Sequence, residues 1–385
     1  MRNIRCAFVV ALALLLGSSQ CRADDTPTEN AAVPEIHIVL FTPSGIIAPE
    51  GAVERIGQAA EIAERFFVTG MKRWKYVPAR EQIFSRDESG KIKVLTIQGS
   101  ETADSKTYQT PGLLDELWPK VTKKYGLQSN FPVWWVWVYL GDPPVRFNDY
   151  RGSGSLRRGG WALVNYENRR GELNAKGPLG GGFNEEFTLK GCIHELGHAM
   201  GMPHLGPMAR DNAGNSLMGP NMGPFQQQLR TPVKNVYLSH ASAAILWKHF
   251  AFSGTTKDRE IVPTIELPEF EAKSNRGNTL IVVSGRAKTS LPAHSVILAD
   301  DAEPGQSDYW RKSYVSRIDG DGGFKFNVNE PSGRNGQFRL LFCFENGAIV
   351  GPPDQTAVEN PDDEAVNKSR AWKYQFNGKN FQLAQ

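Results

Sequence analysis

Cysteine is scarce in this chain: four residues in 385, two of which, Cys6 and Cys21, fall at the very start. A dense disulfide framework is therefore excluded, and Cys192 and Cys343 are expected to be buried free thiols. Long apolar runs are missing too. The longest, Ala7–Leu16, has 10 residues, against about 20 for a helix that crosses a bilayer, so no membrane span is expected. Nor is there an excess of one charge. The 44 Lys and Arg face 41 Asp and Glu, and Arg2, Arg5 and Arg22 account for the whole surplus. No nucleic-acid partner is implied, and Arg157-Arg158 and Arg169-Arg170 read as solvated loop charge. The glycine-rich stretches 152–160 and 177–182 lack a Gly-Lys-Ser/Thr signature, which excludes a phosphate-binding loop.

What is present begins with a leader. Basic residues, the apolar run and the polar end Cys21-Arg22-Ala23 have the layout of a signal peptide over residues 1–23, cleaved near Ala23. The expected location is secreted, periplasmic or cell-surface. A lipid anchor on Cys21 is disfavoured by Gln20, where such sites carry a small residue. The rest exceeds the size of one core, so two domains are expected, 24–257 and 258–385.

In the first, Ile36–Phe41 reads as a strand and Val53, Ile56, Ala60, Ala63 and Phe67 mark a helix. Lys91–Gln98 is a second strand, Leu113–Tyr125 a helix closed by Gly126, and Pro132–Leu140 a strand buried on both faces. Trp161–Tyr166 reads as an edge strand, and 238–250 as one helix. This order predicts a mixed sheet with packed helices. Beyond a polar break near 258, short runs at Leu280–Val283, Ser295–Leu298, Tyr309–Ile318, Phe324–Val328 and Phe338–Phe344 predict an all-β sandwich. Asp319-Gly320-Asp321-Gly322 reads as a hairpin turn.

The segment that carries chemistry is His194-Glu195-Leu196-Gly197-His198-Ala199-Met200-Gly201-Met202-Pro203-His204. A helix with core face Leu189, Ile193, Leu196 and Met200 places His194 and His198 together at i and i+4. Glu195 follows the first His, where a carboxylate can serve as general base without being a ligand. Gly201 permits a sharp turn that returns His204 to the pair. Three imidazoles with a fourth position left open is the stoichiometry of a catalytic zinc site, so one catalytic Zn2+ is expected, and Glu195 is the expected catalytic residue. Cys192 falls on the packed side of the helix.

These residues resemble the zinc signature of the metzincin metallopeptidases, and Met218 in Asn215-Ser216-Leu217-Met218-Gly219 matches the clan's methionine turn. The resemblance implies an α+β zincin-like catalytic domain with a mixed twisted sheet, an active-site helix and a small lower subdomain, followed here by the sandwich-like domain. It implies a secreted endopeptidase acting on protein or peptide, with substrate added as a strand along an edge, for which Trp161, Ala162, Leu163 and Val164 are the candidates. Asn221–Phe225 is a candidate pocket wall. Leu205 and Pro220 depart from the familiar subfamilies. Two rival readings remain: a non-catalytic zinc protein whose β domain binds protein or carbohydrate, and a zinc hydrolase of non-peptide amides. Asp211, Asn212 and Asn215 could hold Ca2+, although an ordinary loop explains them equally.

Overall fold

Alternate side chains of the first strand, β1 (Ile36–Thr42), enter two different apolar layers: Ile38 and Leu40 join one cluster, Val39 and Phe41 another. That is why the run is apolar without interruption. The computed structural model describes residues 35–127, 132–142, 150–155, 159–166, 173, 179, 189–229, 234–275, 280–302, 306–352, 366, 369–376 and 380–383. Residues 1–23, expected to be a signal peptide, and the arginine pairs at 157–158 and 169–170 lie outside them.

Helix α1 (Ala52–Arg73) lays Ile56, Ala60, Ala63 and Phe67 on the Ile38 face. Glu54 in its first turn and Lys72 and Arg73 in its last complement the helix dipole. Strand β2 (Val94–Gln98) follows, and then α2 (Leu113–Tyr125), which packs Leu113, Leu117 and Val121 on the opposite face and stops at left-handed Gly126. Strand β3 (Val133–Val138) is buried on both sides, with Trp135 and Trp137 in one layer and Trp134 and Val136 in the other. Strands β4 (Arg151–Ser155) and β5 (Gly159–Asn165) complete a five-stranded sheet in the order β2-β1-β3-β5-β4, parallel except for β4.

The edge is therefore not where the sequence places it. Trp161–Tyr166 contributes an internal strand, with β3 paired on one side and β4 on the other. Strand β4 carries no strand signature, because it is Arg-Gly-Ser-Gly-Ser, without apolar alternation. Its glycines have a packing reason. A Cβ on Gly152 would lie 2.1 Å from the Glu195 carbonyl oxygen, and one on Gly154 would lie 2.0 Å from that of Ala199. Only a strand without side chains there can press against helix α3 (Leu189–Ala199).

After α3 come β6 (Asn215–Ser216), α4 (Met222–Leu229) and β7 (Val236–Tyr237), with β6 and β7 pairing in parallel. The expected single helix over 238–250 is two short ones, α5 (His240–Leu246) and α6 (Phe250–Ser253). His249 is extended, and its Nδ1 accepts from Ala251 N–H at 3.2 Å, which starts a second helix in place of continuing the first.

The C-terminal part is all β: β8 (Ile265–Ser274), β9 (Ile281–Thr289), β10 (Ala293–Ala302), β11 (Lys312–Arg317), β12 (Gly323–Val328), β13 (Asn335–Phe344), β14 (Ile349–Val350), β15 (Ala371–Phe376) and β16 (Phe381–Leu383). One sheet runs β11-β10-β13-β15-β16, with β14 also on β13; the other runs β12-β9-β8. The turn at 319–322 joins β11 to β12, which belong to different sheets, so it is a crossing between layers and not a hairpin. Asp319 Oδ1 accepts from the backbone N–H of Asp321 and Gly323, which fixes that turn.

Strands β10 and β13 are buried on both faces. Val296, Leu298, Leu340 and Phe342 fill the sandwich, while Ile297, Ala299, Leu341 and Cys343 enter the same cluster as α3 and α5. Two polar contacts seal this seam: Tyr76 Oη lies 2.9 Å from Ser295 Oγ, and the Arg317 guanidinium stacks 3.8 Å from the Tyr76 ring. Cys192 and Cys343 are buried, and neither takes part in a disulfide among the described residues. Burial pushes the Cys343 thiol up to about 12.

Candidate metal centre

Leu189, Ile193, Leu196 and Met200 are buried as the core face of α3, and this face sets the rotation of the helix. His194 and His198 project beside it, 5% and 6% exposed. The helix ends on Gly201 at φ 84°, with Gly201 N–H donating to His198 O at 2.7 Å and Met202 N–H to Gly197 O at 3.0 Å. This left-handed closure reverses the chain and returns His204 to the pair.

The three rings converge. His198 Nε2 lies 3.1 Å from His194 Nε2 and 3.1 Å from His204 Nε2. Each Nδ1 faces an oxygen that can only accept: Leu217 O at 2.8 Å for His194, Met202 O at 2.8 Å for His198 and Asp308 Oδ2 at 3.2 Å for His204. Every ring must therefore carry its proton on Nδ1, leaving three Nε2 lone pairs directed at one another. Lone pairs so placed repel unless a cation lies between them. A tetrahedral ion with metal–nitrogen bonds of about 2.05 Å needs ligand nitrogens about 3.3 Å apart, close to the spacing seen. Burial, reinforced by His198 and Lys190, holds the His194 pKa well below its ordinary value, which keeps the ring neutral and able to ligate. His194, His198 and His204 thus form a group that can hold a metal ion.

The floor of this group comes from the turn at 215–218. Leu217 N–H donates to Tyr237 O at 2.9 Å, Leu205 N–H to Met218 O at 3.2 Å, and Ser216 Oγ to Leu205 O at 2.7 Å. Met218 is fully buried beneath α3. Glu195 sits half-buried on the helix between the two helical histidines. Lys190, also on α3, is 2% exposed and donates from Nζ to Gly219 O at 3.0 Å. Burial pulls its pKa down to about 7, opposed by Glu195.

Other candidate residues are placed differently. Trp161–Leu163 lie inside the sheet, paired with β3 on one side and β4 on the other, Val164 pairs with β3, and the strand that presses on the histidine helix is β4: Gly152 is so close that a Cβ would meet His198 Cβ at 2.8 Å. Asp211 and Asn215 serve the loop, since Asp211 Oδ2 accepts from Tyr237 Oη at 2.9 Å and Asn215 Nδ2 donates to Pro220 O at 2.6 Å. Within Asn221–Phe225, Met222 and Phe225 are buried in α4, and Phe225 stacks with Trp310.

Asp308 and Tyr309 are absent from the motif reading, yet both touch the centre. The Tyr309 ring centroid is 3.9 Å from that of His204 and 5.9 Å from that of His194. No local pattern marks either residue.

No known protein family and no curated protein sequence matches the chain. Among solved structures, OgpA from Akkermansia muciniphila shares the fold. Its catalytically inactive form, in complex with an O-glycopeptide (glycodrosocin) substrate, has a TM-score of 0.66 at 18% identity, over 92% of this chain and 96% of that one. Wild-type OgpA in crystal form P 41 21 2 has a TM-score of 0.64 at 19% identity, with the same coverage of 92% and 96%. At this identity the likeness establishes a common architecture: a mixed α+β part with a second all-β part.

Proposed function

We propose that this protein is a zinc-dependent, metzincin-like endopeptidase with His194, His198 and His204 as ligands and Glu195 as general base. The observation that carries the reading is the convergence of three Nε2 lone pairs beside a glutamate on the same helix. Zinc held there supplies Lewis acidity to a scissile carbonyl and makes water a better nucleophile near neutral pH. Glu195 takes the proton from the attacking water and passes it to the leaving amine. Met218 holds the floor on which the ligand pair rests.

Substrate is expected along β4. This strand presses on α3 at Glu195 and His198, and its outer edge pairs with no other strand among the described residues. An extended peptide added there would cross the helix at the histidines, aligned by main-chain hydrogen bonds. The shared fold with a protein that binds an O-glycopeptide substrate supports peptide as the substrate class and makes O-glycosylated peptide the first kind to assay.

The test is Glu195→Gln. Peptide or O-glycopeptide hydrolysis is expected to fall at least about 100-fold, the range general-base catalysis contributes, while zinc content stays near one per chain. Equal turnover by wild type and variant overturns the proposal. Zinc binding without hydrolysis in the wild type favours the non-catalytic alternative.

A further inference from the structure

The third ligand stands apart from the other two in what holds it. His194 and His198 are fixed by their own helix and by carbonyl groups nearby in the chain, whereas His204 lies beyond the helix end. The oxygen at its Nδ1 is a carboxylate, Asp308 Oδ2, 104 residues away in the β part, at 3.2 Å. The backbone around His204 is gripped by the same segment. Gly206 N–H donates to Arg311 O at 2.6 Å. The Arg311 guanidinium reaches the His204 carbonyl at 3.5 Å and is anchored through Nε on Asp301 Oδ1 at 2.7 Å, with the Arg311 side chain 2% exposed. Gly206 meets the Trp310 backbone so closely that a Cβ would lie 2.7 Å from it. Further along, Arg210 donates from its guanidinium to Ser313 O at 3.1 Å.

We propose that Asp308 is the positioning residue of the third ligand, so that the C-terminal β part is a component of the metal centre and sets its affinity. A carboxylate that accepts the Nδ1 proton fixes the tautomer, orients the ring and makes Nε2 a stronger donor. Tyr309, laid against the His204 and His194 rings, narrows the ring's freedom to turn. The inference rests on the reading that the triad binds zinc, but not on any catalytic step.

Full-length Asp308→Ala and Asp308→Asn would be compared with wild type for zinc affinity, by competition with a chromophoric chelator, and for thermal unfolding of the metal-free forms. Zinc affinity is expected to fall about 10- to 100-fold in Asp308→Ala, the range for loss of such outer partners. Asp308→Asn keeps an acceptor for the Nδ1 proton and should recover part of the loss, while the metal-free midpoints stay together. Unchanged affinity in Asp308→Ala overturns the inference and leaves the peptidase proposal standing. A loss matched by an equal drop in metal-free stability also overturns it, since the role would then be folding alone. A wild type that binds no zinc refutes the underlying reading first.

Discussion

Gly197 lies directly over the sulfur of Met218: a Cβ built on this helix residue would sit 2.7 Å from Met218 Sδ and 2.6 Å from Met202 Cε. The missing side chain between His194 and His198 is therefore what lets Met218 reach the underside of the histidine pair.

Two glycine substitutions separate kinds of closeness. In Gly197→Ala the obstructing atoms are ends of flexible side chains, so a cost of about 1–3 kcal/mol is expected from overpacking. In Gly154→Ala the obstruction is backbone, the Ala199 carbonyl oxygen at 2.0 Å, and β4 must leave α3 or the helix must shift. Denaturant unfolding should rank Gly154→Ala well below Gly197→Ala, and Met218→Ala should relieve the latter only in part, since Met202 Cε remains at 2.6 Å. Equal stability of the two glycine variants would contradict the packing described here.

Zinc bound only by the folded chain should stabilise it by mass action, by about 4 kcal/mol when free metal is a thousand times the dissociation constant. A chelator should lower the melting midpoint, and added zinc should restore it. The same experiment on His198→Ala should show no shift, and on Glu195→Gln a full one. A shift that persists in His198→Ala would place the metal elsewhere.

Two histidines far from the centre predict the acid limb of stability. Burial pulls His249 and His294 down from 6.5 to about 3 each. For a cation with a depressed folded pKa, the unfolded chain takes the proton first. No penalty exists above about 6.5, and stability is lost as pH falls from there towards 3. Each contributes a slope of about 1.4 kcal/mol per pH unit within that window. His249→Asn keeps a capping acceptor for the Ala251 N–H without titrating, so its stability should fall less steeply between pH 6 and 4. Parallel curves for wild type and variant would rule His249 out.

The histidine group is legible in the sequence because a helix, its closing glycine and the returning histidine are local. Spacing alone places His194 beside His198, and the one residue able to adopt φ 84° at low cost stands where the turn is needed. The central strands are legible for a similar reason, since β1 and β3 bury both faces and must be apolar throughout. Strand β4 is hidden because the demand on it comes from α3, which excludes side chains and so erases the alternation by which strands are recognised. Strand β8 is hidden by Pro268 and by Glu266, Glu269 and Glu271; among the described residues it pairs only with β9, and its register shifts between Glu266 and Glu269, where the proline is accommodated. Asp308 is hidden for a different reason. Its partner is 104 residues away, and one carboxylate in a polar turn leaves no trace of what it meets.

That separation also imposes an order of events. A chain made from its N-terminus has His194 and His198 in place long before residues 308–311 exist, and closing a loop of that length costs about 4 kcal/mol of chain entropy. The third imidazole can gain this anchor only once the chain through Asp308 has been made. Synthesis thus sets the earliest moment at which the centre can be complete.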